Sequence, residues 1–355
     1  MAVDSIERRA EPAIRARGIS RKAQLCASAF LAGSLLVGLG VGPVSIGAGG
    51  IVESILSHIP YLHVHSSLSP VQESILWQLR APRVVLGALV GGMLALSGSA
   101  YQGVFRNPLA DPYLLGVAAG AGLGATIAIA YGHVHGSGQI IPIAAFVGGS
   151  VAVGCTFMLG RSVGTARASG ALVLAGITVA AFMTALQTFV QQQHTDTLRE
   201  VYSFILGGLA TASWSQVLLV SPYVILSSIA IVLHRRVLDV LSLGDDEATS
   251  LGIDVPRTRL LLVVAATAGT AAAVSVSGLI GFVGIIVPHT IRLLVSTSYR
   301  AVVPLSLVAG AGFLVLTDVL ARTVISPAEL PIGVVTAFFG APFFAIVLRG
   351  SKASQ

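Results

Sequence analysis

Residues 80–124 read RAPRVVLGALVGGMLALSGSAYQGVFRNPLADPYLLGVAAGAGLG. Two arginines, Arg80 and Arg83, bracket a proline and lead into about twenty mostly apolar residues, the length of one membrane crossing. The run breaks at RNPLADP, a polar turn spaced by prolines, and a second apolar stretch spaced by glycines follows. The physical reading is two membrane spans joined by a short loop of unusual composition.

The rest of the chain has the same character. Of 355 residues 54% are hydrophobic and 10% charged, with a mean hydropathy of +0.87, against about 25% charged in soluble domains. Such a chain cannot cover a water-facing surface, so it reads as an all-α polytopic membrane protein. The net charge of +6 comes from basic residues at the ends of apolar runs, which form no nucleic-acid patch. Cys26 and Cys155 stand alone within apolar runs, with no CxxC, and are expected to be buried thiols. Arg8, Arg9, Arg15, Arg17, Arg21 and Lys22 precede the apolar run 23–41. That run is long enough to span and lacks an A-x-A cleavage site, so it reads as a retained first span behind a basic cytoplasmic segment, 1–22.

Ten candidate spans follow, near 23–43, 82–104, 113–132, 139–160, 171–191, 217–234, 259–277, 279–296, 302–321 and 331–348. With a cytoplasmic N-terminus, 17 of the 21 basic residues fall inside, and only Arg80, Arg83, Arg199 and Arg322 fall outside. The positive-inside rule thus supports ten spans over residues 23–349 with both termini cytoplasmic. Glycine pairs, such as Gly87 with Gly91 and the series Gly116, Gly120, Gly124, allow close helix contact in lipid. They predict a compact bundle with little room for a large cavity inside one subunit. The stretch 194–216, HTDTLREVYSFILGGLATASWSQ, has an apolar core too short to span and broken by Gly207 and Gly208. It predicts a short re-entrant helix, tolerated only where it is buried in protein or lines a water-filled cavity.

Enzymatic signatures are absent. The two lysines, Lys22 and Lys352, lie outside any glycine-rich loop, so there is no P-loop; HExxH and GxSxG are missing too. Intramembrane acids are sparse, Asp318 being the main one, which argues against a proton-coupled secondary transporter. His63/His65 and His133/His135 form HxH pairs that could offer imidazoles to a metal or to haem iron. Short polar loops also use histidine as a mild polar residue, and no further ligand stands at recognisable spacing, so no metal site is assigned. The longest expected cytoplasmic loop, VLDVLSLGDDEATSLGIDVPRTR at 237–259, pairs an apolar edge with Asp245, Asp246 and Glu247 at a helix start. It looks like two small helices presented to a partner.

Taken together, LWQLRAPR, FRNPLADPYLLGVAAGAG, LSLGDDEATSLGID, GLIGFVGIIVPHTIRLL and DVLARTVISPAELPIGVVTAFFGAPFFAIVL resemble the FecCD family of permeases. These are membrane subunits of ATP-driven importers for iron-siderophores, haem and cobalamin. The resemblance implies a homodimeric permease of ten spans per subunit, the pathway lying between this chain and its second copy in the bacterial inner membrane. It implies no bound cofactor, with ATP and Mg on two partner ATP-binding cassette ATPase subunits, and a periplasmic substrate-binding protein on the other face. By motif position, Arg80, Arg83 and Arg322 would receive glutamates of that binding protein. Glu247, Ser250, Leu251 and Gly252 would form the ATPase coupling surface. Asn107 and Leu109, helped by Ser169 and Gly170, would narrow a cytoplasmic gate. Arg199 in the re-entrant loop could attract haem propionates or an anionic chelate, and with the outer histidines it ranks haem before ferric siderophore and cobalamin.

Overall fold

The computed structural model describes residues 19–60, 65–132, 139–162 and 168–352. Most of the basic segment 1–22, with His63, His133 and His135, lies outside the described residues. The first helix, α1 (Arg21–Gly40), is capped by Ser20, whose hydroxyl accepts the Ala23 amide. A short helix, α2 (Ala48–Ser57), leads to α3 (Pro70–Ser74), which opens with a capping box on Ser69 and Gln72. A π-helical turn, Ile75–Arg80, runs directly into α4 (Ala81–Val104). Then come α5 (Val117–Tyr131), α6 (Ile140–Ser162), α7 (Ala168–Gln193), α8 (Leu198–Leu206) and α9 (Trp214–Leu233). The chain continues through the small helices α10 (Arg235–Leu241) and α11 (Asp245–Ser250) into α12 (Val255–Ser277). It finishes with α13 (Val283–Leu294), α14 (Tyr299–Thr323) and α15 (Ile332–Lys352).

Each of the ten expected apolar segments folds as a helix. Seven have the length and composition to cross a membrane; Val117–Tyr131, Val283–Leu294 and Ile332–Val347 are shorter. The largest departure is at 279–296, expected as a full span. Gly278 and Phe282 both adopt positive φ, +67° and +68°, which breaks the chain before α13 begins. Twelve residues then rise only about 18 Å, too little to cross alone. Gly278 is needed there because a Cβ would collide with the Phe204 carbonyl at the tip of α8.

The core is built on α4, most of which is buried and which packs against α14, α12, α13 and α9. Gly91 meets Gly310 of α14 backbone to backbone, and Gly98 meets Gly284 of α13 in the same way. A second layer of α5, α6 and α7 uses the same device at Gly120 and Gly148, and joins the first through α12. In lipid this is how helices associate, since removing apolar surface from lipid gains little. Contrary to expectation, Cys26 and Cys155 are exposed on the bundle surface. An apolar run in a membrane buries a side chain from water without burying it in protein.

Gly98→Ala would place a methyl on the Gly284 carbonyl and should lower stability by about 1–3 kcal/mol, the usual cost of overpacking. Gly33→Ala, where a Cβ would meet nothing within 4 Å, should be close to neutral. Thermal unfolding in detergent compares the two.

Candidate functional site

Functional side chains gather at the two ends of α4. At its first turn stand Arg80 and Arg83, and α14 brings Asp318 and Arg322 beside them. Arg83 is shared between two carboxylates: Nε and Nη2 donate to Asp318 at 2.8–3.0 Å, while Nη1 and Nη2 donate to Glu329 at 2.9 Å. Asp318 is 2% exposed, and Arg322 approaches it at 3.8 Å. Such a buried acid persists because two guanidinium groups face it. Glu329 sits at the surface, and the Arg83 hydrogen bond holds its carboxyl below the usual range.

Three open guanidinium forks were expected here. The structure brings the three arginines together, yet Arg80 and Arg322 turn inward. Arg80 Nη1 donates to the carbonyls of Leu39 and Gly40 at 2.8 and 2.9 Å, and Nη2 donates to that of Val44. Arg322 Nη2 donates to the Gly38 carbonyl at 2.5 Å. Their targets include the last carbonyls of α1, which have no partner within the helix and which lipid cannot satisfy. Gly42 lets the chain pass, since a Cβ there would lie 2.6 Å from Arg80 Nη2. The residue of the three that meets the surface is Arg83.

The short helix expected within 194–216 is α8, which ends at Gly207 (φ +71°). The Gly208 amide donates to the Ser277 carbonyl at 2.8 Å, and the Gly207 carbonyl accepts from Ile332 at 2.9 Å. The returning chain is thus satisfied by protein, and it borders a cavity of about 800 Å³ lined by Gln139, Glu200, Ser203, Thr211, Gln216 and Ser277 among others. The sequence predicts little cavity space inside one subunit; the hydroxyl-rich α8 loop opens it. Glu200 lines this cavity and Arg199, exposed on α8, does not. Among the described residues, no group of three or more His, Cys, Asp or Glu is placed to hold a metal. His58 packs on Trp77, and His194 on Tyr131.

At the far end of α4 the RNPLADP turn leaves Leu109 42% exposed, with Asn107 exposed beside it. Asn107 Oδ1 accepts the Leu109 amide at 2.9 Å, shaping the turn. Gln102, 1% exposed, donates to the carbonyls of Ala110 (3.3 Å) and Gly284 (3.0 Å) and accepts from Arg292. Arg106, at φ +51°, pairs with Asp245 at 2.8 Å, and Arg259 of α12 pairs with the same carboxylate at 3.0 Å. The loop helices form as expected, and Glu247, Ser250, Leu251 and Gly252 are all exposed on them. Gly244 (φ +151°) precedes α11, and a Cβ there would strike the Glu247 carboxylate. Ser169 and Gly170 lie in the first turn of α7, with open space beside Gly170. Gln102, Glu329 and Asp239, which accepts from the Ser298 hydroxyl and the Tyr299 amide, were not singled out in the sequence. All three stood in stretches quoted above, Gln102 within 80–124, Glu329 within DVLARTVISPAELP and Asp239 within 237–259, but nothing local marked them out.

The profile of the FecCD transport family matches residues 30–350. The cobalamin import permease of Halobacterium salinarum is 39% identical over 275 residues, covering 78% of this chain and 73% of that one. The hemin transport permease of Yersinia pestis is 37% identical over 288 residues, covering 76% and 82%. Among solved structures, an inward-facing transporter described as of the metal-chelate ABC type superposes with a TM-score of 0.82 at 29% identity, covering 93% of this chain and all of the other.

Two predictions follow from this geometry. Asp318→Asn leaves two arginines facing no buried charge and should cost about 3–5 kcal/mol in unfolding measurements. Asp111, in the RNPLADP turn, has its carboxyl raised by burial to about 6, the hydrogen bond from the Tyr113 amide opposing the rise without cancelling it. The fold favours its neutral form, so stability should fall as pH rises from about 4 to about 6 and then level off. Asp111→Asn should remove that slope from the unfolding midpoint.

Proposed function

The chain belongs to the FecCD transport family, and on that premise we propose that it carries haem or a related iron chelate from periplasm to cytoplasm by alternating access. It is a multi-pass permease subunit of an ATP-binding cassette importer with no ATPase site of its own; hydrolysis belongs to a partner subunit. In the proposal two copies line one pathway, two ATPase subunits sit on the cytoplasmic face, and a binding protein docks from the periplasm. The Arg83 end then faces the periplasm and the Asp245 end the cytoplasm, which agrees with the crowding of basic residues at the latter.

The observation that carries the importer reading is the exposed surface of α11 and its neighbours. Leu243 and Leu251 are 66% and 64% exposed there, beside Asp246 and Glu247. Large apolar side chains amid acids on a short helix suit an ATPase groove. Docking of the binding protein falls to Arg83, where Glu329 already occupies the place a partner's carboxylate would take. Arg80 and Arg322 hold the backbone beneath it. Asn107 and Leu109 form the gate in this reading, with Ser169 and Gly170 contributing from α7.

Haem is the first cargo because Arg199 is exposed on α8 near the cavity and the hemin permease is a close relative. Cobalamin is the second, favoured by the cavity lining itself, which among the described residues includes Glu200, amides and hydroxyls and no arginine, lysine or histidine. The cognate binding protein decides between them. If it retains haem after purification, a Soret band appears; retention of a corrinoid instead overturns the haem assignment. Arg83→Glu should weaken its docking on the permease at least about tenfold, as loss of a close charge pair does. Unchanged affinity would remove Arg83 from the docking surface.

A further inference from the structure

We propose that Asp245 and Arg106 form a clasp through which movement of the ATPase-facing helices reaches the RNPLADP turn; this rests on reading α10–α11 as the ATPase contact and Leu109 as part of the gate. The Asp245 carboxylate opens α11 and holds two guanidinium groups at once. One is Arg106, the first residue of the turn, at 2.8 Å; the other is Arg259 on α12, at 3.0 and 3.3 Å. Three separate parts of the chain therefore meet on one side chain.

The clasp adds little to folding. Arg106 is 40% exposed and Asp245 43% exposed, and exposed pairs of this kind are weak and screened by salt. What it adds is position. Arg106 adopts a left-handed backbone conformation, which an arginine keeps only where its surroundings hold it. The turn is held a second time further on, where buried Gln102 donates to the Ala110 carbonyl and to Gly284 of α13. Asn107 and Leu109 lie between these two holds. A displacement of α11 pulls on the turn at Arg106 while Ala110 stays fixed to α4, so the segment that carries Leu109 tilts. Of the two holds, one is exposed and exchangeable and the other buried, which sets the pivot at Gln102.

Arg259 gives the clasp its direction. It ties Asp245 to α12, which packs against α4 and α9, so at rest α11 is registered on the bundle. When the ATPase draws α11 away, Asp245 must slacken its grip on one arginine or carry Arg106 with it. The side chain of the turn follows more readily than that of a packed helix.

The test uses the permease–ATPase complex in lipid nanodiscs, with Cys26 and Cys155 replaced by serine and Leu109→Cys as the reporter. The maleimide labelling rate at position 109 is measured with and without ATP and vanadate. Trapping should change the rate about tenfold in the otherwise native complex and leave it unchanged in Arg106→Gln, while ATP hydrolysis stays within about twofold. Arg106→Lys, which keeps the charge, should retain most of the response. If the response survives in Arg106→Gln, the clasp is overturned and the gate reading stands. Absence of any response in the native complex overturns the gate reading and the clasp with it. Loss of assembly or hydrolysis in Arg106→Gln makes the residue a docking or folding element and also overturns the proposal.

Discussion

The contact on which this structure depends is the meeting of α4 with its neighbours at bare backbone. At Gly91 and Gly98 no side chain stands between α4 and the backbones of α14 and α13. Lipid offers little drive to bring helices together, so dispersion between closely fitted surfaces must do it. Close fitting also fixes relative height. With α4 locked to α13 and α14, Arg83 arrives level with Asp318 at one end, and Gln102 arrives level with Gly284 and Arg292 at the other. Both polar clusters follow from the glycine register.

The same lack of water explains why so much charge is spent on backbone. Arg80 and Arg322 cap the C-terminal carbonyls of α1, a task water performs for helices in soluble proteins. Asp318 lies nearby and balances Arg322 and the neighbouring Arg83. Among the described residues the cluster holds three arginines and two carboxylates, and its buried members turn to backbone carbonyls or to one another. Only the Arg83–Glu329 contact reaches the surface.

Much of this could be read from residue order. Apolar run length located the helices, because a span must satisfy its own backbone hydrogen bonds and needs a set length. The broken run after Phe204 was legible for the same reason: two glycines in an otherwise apolar stretch cannot continue a lipid-facing helix. Side-chain direction was not legible. An arginine at a span end can point to headgroups, to a partner or back to a carbonyl, and what decided it was the α1 terminus, 41 residues from Arg80 and 284 from Arg322 in the chain. The shortness of α13 was hidden because residues 278–282 are as apolar as a helix would be, and only the φ values of Gly278 and Phe282 break it. Gln102 looked like one polar residue in a span; its role appears once Ala110 and Gly284 are placed against it.

The two polar clusters differ in a way that bears on motion. At the Arg83 end the ionic contacts run inward to a buried acid, and breaking them would strand a charge in a low-dielectric interior, which costs several kcal/mol. At the Asp245 end the Arg106–Asp245 pair is half exposed, and water can replace either of its partners at small cost. A membrane protein that changes shape will do so where exchange with solvent is cheapest. That places the movable parts at the small helices α10 and α11 and the RNPLADP turn, and leaves the arginine end as the part that holds α1, α4 and α14 together while they move.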